Sequence, residues 1–231
     1  MWKQEHKKIV VVALFAVAMG YLESAVVIYL RMLYCPNGFG FPFEKFMGPD
    51  VLPIEVLREI STLVMLLGVA YLAASSLKNR FAYFLFAFAV WDLFYYIWLK
   101  AALNWPESLL TYDLLFLIPW PWVGPVLAPV IGSLTMILLA YCLLCSEKNP
   151  RPGDWALWFT GGFMMLYTFL IDYGRLIASG NHFKDLFSLP AYGEFQKIFS
   201  HFVPGNYNWV LFAAGEAVIL AGIFRFWRGT R

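Results

Sequence analysis

Apolar and polar positions alternate along this chain in long blocks rather than in the short periods of a soluble protein. Six apolar blocks qualify as membrane spans or nearly so, at about 9–33, 54–77, 81–99, 124–146, 155–180 and 208–226. A span needs about 20 mainly apolar residues to cross a hydrocarbon core roughly 30 Å thick. A seventh block, "LLTYDLLFLIPWPWVGP" (109–125), is shorter and contains Pro119, Pro121 and Pro125, none of which has a backbone N–H. It reads as an interfacial or re-entrant segment leading into the fourth span, because irregular backbone at membrane depth has to be covered by protein. The pattern predicts an all-α integral membrane helical bundle. About six transmembrane helices and one interfacial or re-entrant segment would form a single domain over 1–231.

Composition agrees with the blocks. Of 231 residues, 61% are hydrophobic and 14% charged, whereas soluble domains are about 45–50% apolar and about 25% charged. The N-terminal "MWKQEHKK" is basic and Ala16-Val17-Ala18 mimics a signal cleavage site. Cleavage there would leave a first helix of roughly fifteen residues, too short to span, so the first block is expected to remain as a helix.

Charge then orients the bundle. Lys3, Lys7, Lys8, Lys78, Arg80, Lys148, Arg151, Arg225, Arg228 and Arg231 fall at one end, next to minimal turns such as "LKNR". The other seven basic residues lie in long connections or inside helices. Positive residues concentrate in cytoplasmic loops, so both termini are expected to be cytoplasmic. The outer connections 34–53, 100–123 and 181–207 are long and rich in Phe, Pro and Gly, as a lid or a passive cap would be. A net charge of +2, scattered among loops, gives no reason to expect a nucleic-acid partner.

The notable positions are charges inside the apolar blocks, each costing ~2.5–3.5 kcal/mol or more at mid-membrane. "FAYFLFAFAVWDLFYYIWLK" carries Asp92, with Tyr95 and Tyr96 about a turn beyond. Glu23 lies deep in the first span and Arg31 near its outer end. Glu55, Arg58, Glu59 and Thr62 recur at i, i+3, i+4 and i+7, hence on one helix face. Asp172 and Arg175 form a local i,i+3 pair, and Glu216 sits within the last span. Glu23 and Glu216 have no cation within their own turn. Such groups face a bundle interior or a wet cavity, not lipid. Two readings stay open: an interhelical network that fixes packing, and a polar pocket opening outward.

Other chemistries find less support. His6, His182 and His201 all lie outside the predicted spans, so transmembrane haem and histidine-rich metal sites are not expected. Cys142 and Cys145 form a C-x-x-C at the end of an apolar run without a second pair, and read as packing residues. Gly161-Gly162 reads as a close-packing notch. No cofactor or metal is expected, and nucleophile-elbow, zincin and P-loop motifs are absent.

The strings "GYLESAVVIYLR", "WDLFYYIWLK" and "LIPWPWVGPVLAP" resemble an uncharacterised family of prokaryotic polytopic membrane proteins. "REIST" around Glu59 and "WDLFYY" around Asp92 are similar to acid-bearing stretches of the emopamil-binding (sterol isomerase-like) family. That resemblance implies acids on consecutive helices lining a cavity for a hydrophobic, often cationic ligand. The chain departs from it in having six spans rather than five, and Met19 where a histidine would precede Glu23.

The residues together suggest an outer-half pocket for a hydrophobic or amphiphilic small molecule. Glu23, Asp92 and Glu216 are its candidate catalytic or proton-handling acids. Arg58, Glu59, Tyr95, Tyr96, Trp120 and Trp122 are its candidate ligand-binding residues. Membrane lipid is the expected surrounding partner. Alternatives are a proton-coupled transporter, or a structural subunit whose intramembrane charges only pair helices.

Overall fold

A computed structural model describes residues 2–43, 47–48, 50–118, 120–179 and 202–230. Among these are six long helices: α1 (Trp2–Tyr34), α2 (Leu52–Ala73), α3 (Leu77–Leu103), α4 (Leu127–Cys145), α5 (Pro152–Ser179) and α6 (Trp209–Thr230). A hairpin of β1 (Tyr112–Phe116) and β2 (Trp122–Pro125) separates α3 from α4. Five of the helices, all but α5, are long and apolar enough to cross a membrane. In α5 glycines, Trp and Thr dilute an otherwise apolar run, and the 28-residue helix packs along α6.

Local chemistry sets the helix ends. Ser76 accepts the Asn79 N–H at 3.2 Å and caps α3, so α3 starts at Leu77. The second block is therefore a helix only to Ala73, not to 77, and 74–76 form the turn. Asn104 ends α3 in the left-handed region (φ 53°) and returns its N–H to the Lys100 carbonyl, a conformation asparagine tolerates better than most residues. Pro53 and Pro152 stand at helix N-termini, where a missing N–H costs nothing.

Helix faces follow solvent type. Val11, Leu14, Leu22, Leu67 and Leu72 point outward and are exposed, whereas Ser24, Arg31, Glu59, Asp113 and Ser133 are buried. Apolar outside and polar inside is the arrangement a lipid solvent requires.

Close contacts fix the pairings. On α1, a Cβ at Gly20 would lie 2.9 Å from the Trp91 carbonyl oxygen, so glycine lets α1 and α3 approach. Ser24 Oγ then donates to the Tyr95 carbonyl at 3.0 Å. Between α5 and α6, a Cβ on Gly161 would lie 2.5 Å from the Gly215 carbonyl. Gly161 is thus the expected notch, whereas Gly162 has nothing within 4 Å of an added Cβ. The three cysteines are free thiols, with Cys142 buried and Cys145 exposed.

The 109–125 segment, expected to be interfacial or re-entrant, takes a form that the apolar pattern left open. It is an antiparallel ribbon, with Asp113 opposite Gly124 and Leu114 opposite Val123. Cross-strand pairing satisfies its backbone within the bundle, and Pro125 is tolerated because a two-stranded ribbon has free edges. Gly124 leaves room for the Phe169 ring, which would sit 2.7 Å from a Cβ there. His182, His201 and most of the 181–207 connection lie outside the described residues.

Candidate functional site: two cavities divided by the hairpin

The hairpin divides the candidate residues between two cavities. Leu115 and Phe116 of β1 line both of them and form the shared wall.

The first cavity is small, about 90 Å³, and lies between α1, α2, α3 and β1 beneath Phe39, Phe43 and Met47. Arg58 is its hub. It reaches from α2 to Glu23 on α1, grips Glu55 through two hydrogen bonds of 2.7 and 3.0 Å, and lies 3.9 Å from Glu59. Planar guanidinium geometry suits such multiple carboxylate contacts. Glu23, without a cation in its own turn, thus receives one from the neighbouring helix. Glu59 turns both oxygens to the Leu117 N–H, at 3.1 and 3.0 Å, and so holds the end of β1.

At the other side of this cavity Arg31 Nη2 donates to Asp113 Oδ1 at 3.1 Å, and both side chains are more than nine-tenths buried. Asp113 also accepts from the Tyr95 hydroxyl at 3.3 Å and from the Leu114 N–H at 2.9 Å. Burial pushes the Asp113 carboxyl above its ordinary pKa, opposed by the Arg31 charge and these hydrogen bonds. Arg31 Cζ lies 4.0 Å from the Phe39 ring centroid and 3.8 Å from that of Trp105. Neither Arg31 nor Asp113 is among the sequence-derived site residues. The signal was present in "TYDLLF", an acid enclosed by apolar residues like Asp92. In an interfacial segment such an acid would lie in water, where it carries no desolvation cost.

The second cavity is about 490 Å³, within the 300–1,000 Å³ range of small-molecule sites. α3, α4, α5 and the hairpin enclose it. Its lining is almost wholly apolar, including Phe84, Phe88, Trp91, Trp122 and Phe169, and its rim carries exposed Phe159 and Phe163. Exposed Phe159 and Phe163 place its mouth on the outer surface of α5. Asp92 stands on its wall with Ser133 and Thr135. Ser133 Oγ donates to Asp92 Oδ2 at 2.8 Å.

The candidate set is thus not one pocket. Glu23, Arg58, Glu59 and Tyr95 line the small cavity, and Asp92 and Trp122 line the large one. Tyr95 and Tyr96, about a turn beyond Asp92, are engaged with other groups. Tyr95 gives its hydroxyl to Asp113, and Tyr96 packs on Tyr95 with ring centroids 4.8 Å apart, beside Leu99 and Val126. Trp120 packs near Phe43, Leu117 and Tyr173 and lines neither cavity. Glu216 accepts from the Thr135 hydroxyl while its Oε2 has no partner, and it too lines neither cavity. Asp172 and Arg175 form the expected surface pair at 3.9 Å. Among the described residues, no group of three or more His, Cys, Asp or Glu is arranged to hold a metal ion.

Comparison of the chain with protein-family models, curated proteins and solved structures gave no match to any of them.

Proposed function

We propose that this membrane protein binds a hydrophobic or amphiphilic small molecule in the larger cavity. The molecule's apolar body would lie among Phe84, Phe88, Trp122 and Phe169, and its one hydroxyl or amine would meet Asp92. The supporting observation is a carboxylate on the wall of a 490 Å³ apolar cavity, with the Ser133 hydroxyl as its hydrogen-bond partner among the described residues. A carboxylate inside a bundle is costly unless it is neutralised or matched, and a ligand donor would match it. An aromatic rim suits entry from the lipid phase. On this reading α5 is the sixth span, and both termini lie on the cytoplasmic side of a prokaryotic membrane.

The test is native mass spectrometry of gently purified full-length protein beside its Asp92→Asn variant. The expected result is a co-purified lipid or isoprenoid on the wild type, retained at least tenfold less by the variant. The variant should melt within a few degrees of wild type. An empty wild-type cavity would overturn the proposal.

A structural role competes for the smaller cavity, favoured by a specific observation. Arg58 links α1 to α2 through Glu23, and Arg31 links α1 to the hairpin through Asp113. Neutralising those pairs would then lower thermal stability without altering ligand content.

A further inference from the structure

The larger cavity offers its occupant one polar point. Its polar side chains are Asp92, Ser133 and Thr135, beside the indoles of Trp91, Trp122 and Trp158. Ser133 has no exposed surface and gives its proton to Asp92 Oδ2. Thr135 is 7% exposed and gives its proton to Glu216, which does not line the cavity. Trp122 Nε1 donates to the Ile118 carbonyl at 2.8 Å. The Nε1 atoms of Trp91 and Trp158 are sealed without a partner, so neither N–H reaches the cavity. Asp92 is half-buried, and its Oδ1 has no donor among the described residues. No Lys, Arg or His is among the described lining residues. Pro119, the undescribed residue that adjoins the lining in sequence, brings neither charge nor N–H. Asp113 and Glu23, which act on Asp92 electrostatically, line the smaller cavity.

What meets Asp92 there is set by its two protonation states. A carboxylate only accepts hydrogen bonds, whereas the neutral acid also donates one. An ammonium suits the first state and an ester carbonyl the second. A hydroxyl suits both, because it donates to the carboxylate and accepts from the acid. An anionic head group is opposed by the carboxylate and finds no cation to offset its desolvation. Shape narrows the apolar body. The lining runs from Phe81 to Asp92 on α3, from Ala128 to Leu139 on α4 and from Trp158 to Phe169 on α5, each about 16 Å of helix rise. Spread along that length, 490 Å³ leaves a mean section of about 30 Å², one chain wide. Resting on the reading that a hydrophobic molecule fills this cavity, we infer that the occupant is an uncharged single-chain lipid alcohol. Its hydroxyl meets Asp92 and its chain runs along α3 toward Phe81.

The test places full-length protein in nanodiscs doped in turn with tetradecanol, tetradecylamine, tetradecyl phosphate or methyl myristate. These share one chain length and differ in head group. Native mass spectrometry counts the retained chain at mildly acidic and mildly alkaline pH. Tetradecanol is expected at least tenfold above tetradecyl phosphate, and within about twofold of itself at the two pH values. The amine should fall at acidic pH and the ester at alkaline pH. Asp92→Leu should bring alcohol and phosphate within about threefold of each other while the chain still binds. Gly132→Leu, which fills the cavity, should lose the alcohol, and unchanged retention there would overturn the site. Amine or ester retained above the alcohol at both pH values would overturn the alcohol and leave the cavity reading standing. Retention of none of the four by the wild type would overturn both. These wild-type outcomes need no variant to fold.

Discussion

Glu59 on α2 accepts the Leu117 backbone N–H with both carboxylate oxygens, at 3.1 and 3.0 Å, so a helix side chain anchors the end of a β-strand in the bundle. Nearby on β1, Asp113 meets Arg31 and Tyr95. The hairpin that divides the two cavities is therefore held by carboxylate contacts at both ends of its first strand.

The Glu59 contact predicts a graded response. Glu59→Gln keeps an acceptor for Leu117 and should cost less than about 1 kcal/mol, whereas Glu59→Leu strands that N–H and should cost about 1–3 kcal/mol. Thermal melts of the purified variants give the order. Hydrogen exchange at the Leu117 amide should accelerate only in Glu59→Leu.

Arg58 is the larger risk to the fold. Arg58→Leu leaves Glu23 and Glu55 without their cation, and removing one partner of a buried ion network costs about 3–5 kcal/mol. Combining it with Glu23→Gln should recover part of that loss. A double-mutant cycle on melting temperature measures the coupling, and strict additivity would show that the pair does not interact.

Two adjacent glycines should behave oppositely. A methyl at Gly161 would collide with the Gly215 carbonyl, while one at Gly162 meets nothing within 4 Å and faces the large cavity. Gly161→Ala should destabilise by about 1–3 kcal/mol, as overpacking does. Gly162→Ala should leave melting temperature close to wild type. Both are read in the same detergent.

Filling the large cavity should empty it of ligand without unfolding the chain. An added Cβ at Gly132 meets only the flexible Met165 terminus, at 3.5 Å. Gly132→Leu should keep a wild-type elution profile and lower co-purified lipid at least tenfold by mass spectrometry. Unchanged lipid content would place the bound molecules outside the cavity.

The sequence by itself determined the solvent this chain folds in and the helices that meet it. Long apolar blocks and a 14% charged content leave lipid as the medium. Helix ends were less legible: the second apolar block reads through Ser76 to 77, whereas in the structure Ser76 caps α3. The inward direction of Glu23, Glu59 and Asp92 followed, because a lipid-facing carboxylate is too costly. Tertiary structure alone decided which charge meets which. Arg58 finds Glu23 35 positions away, and Arg31 finds Asp113 82 positions away, distances at which helical periodicity carries no information. The hairpin was equally out of reach. An apolar segment of that length suits a strand or a short helix alike until a partner strand and a glutamate from α2 satisfy its backbone. Once that ribbon is in place, a row of intramembrane charges that reads as one pocket becomes two cavities with different chemistry.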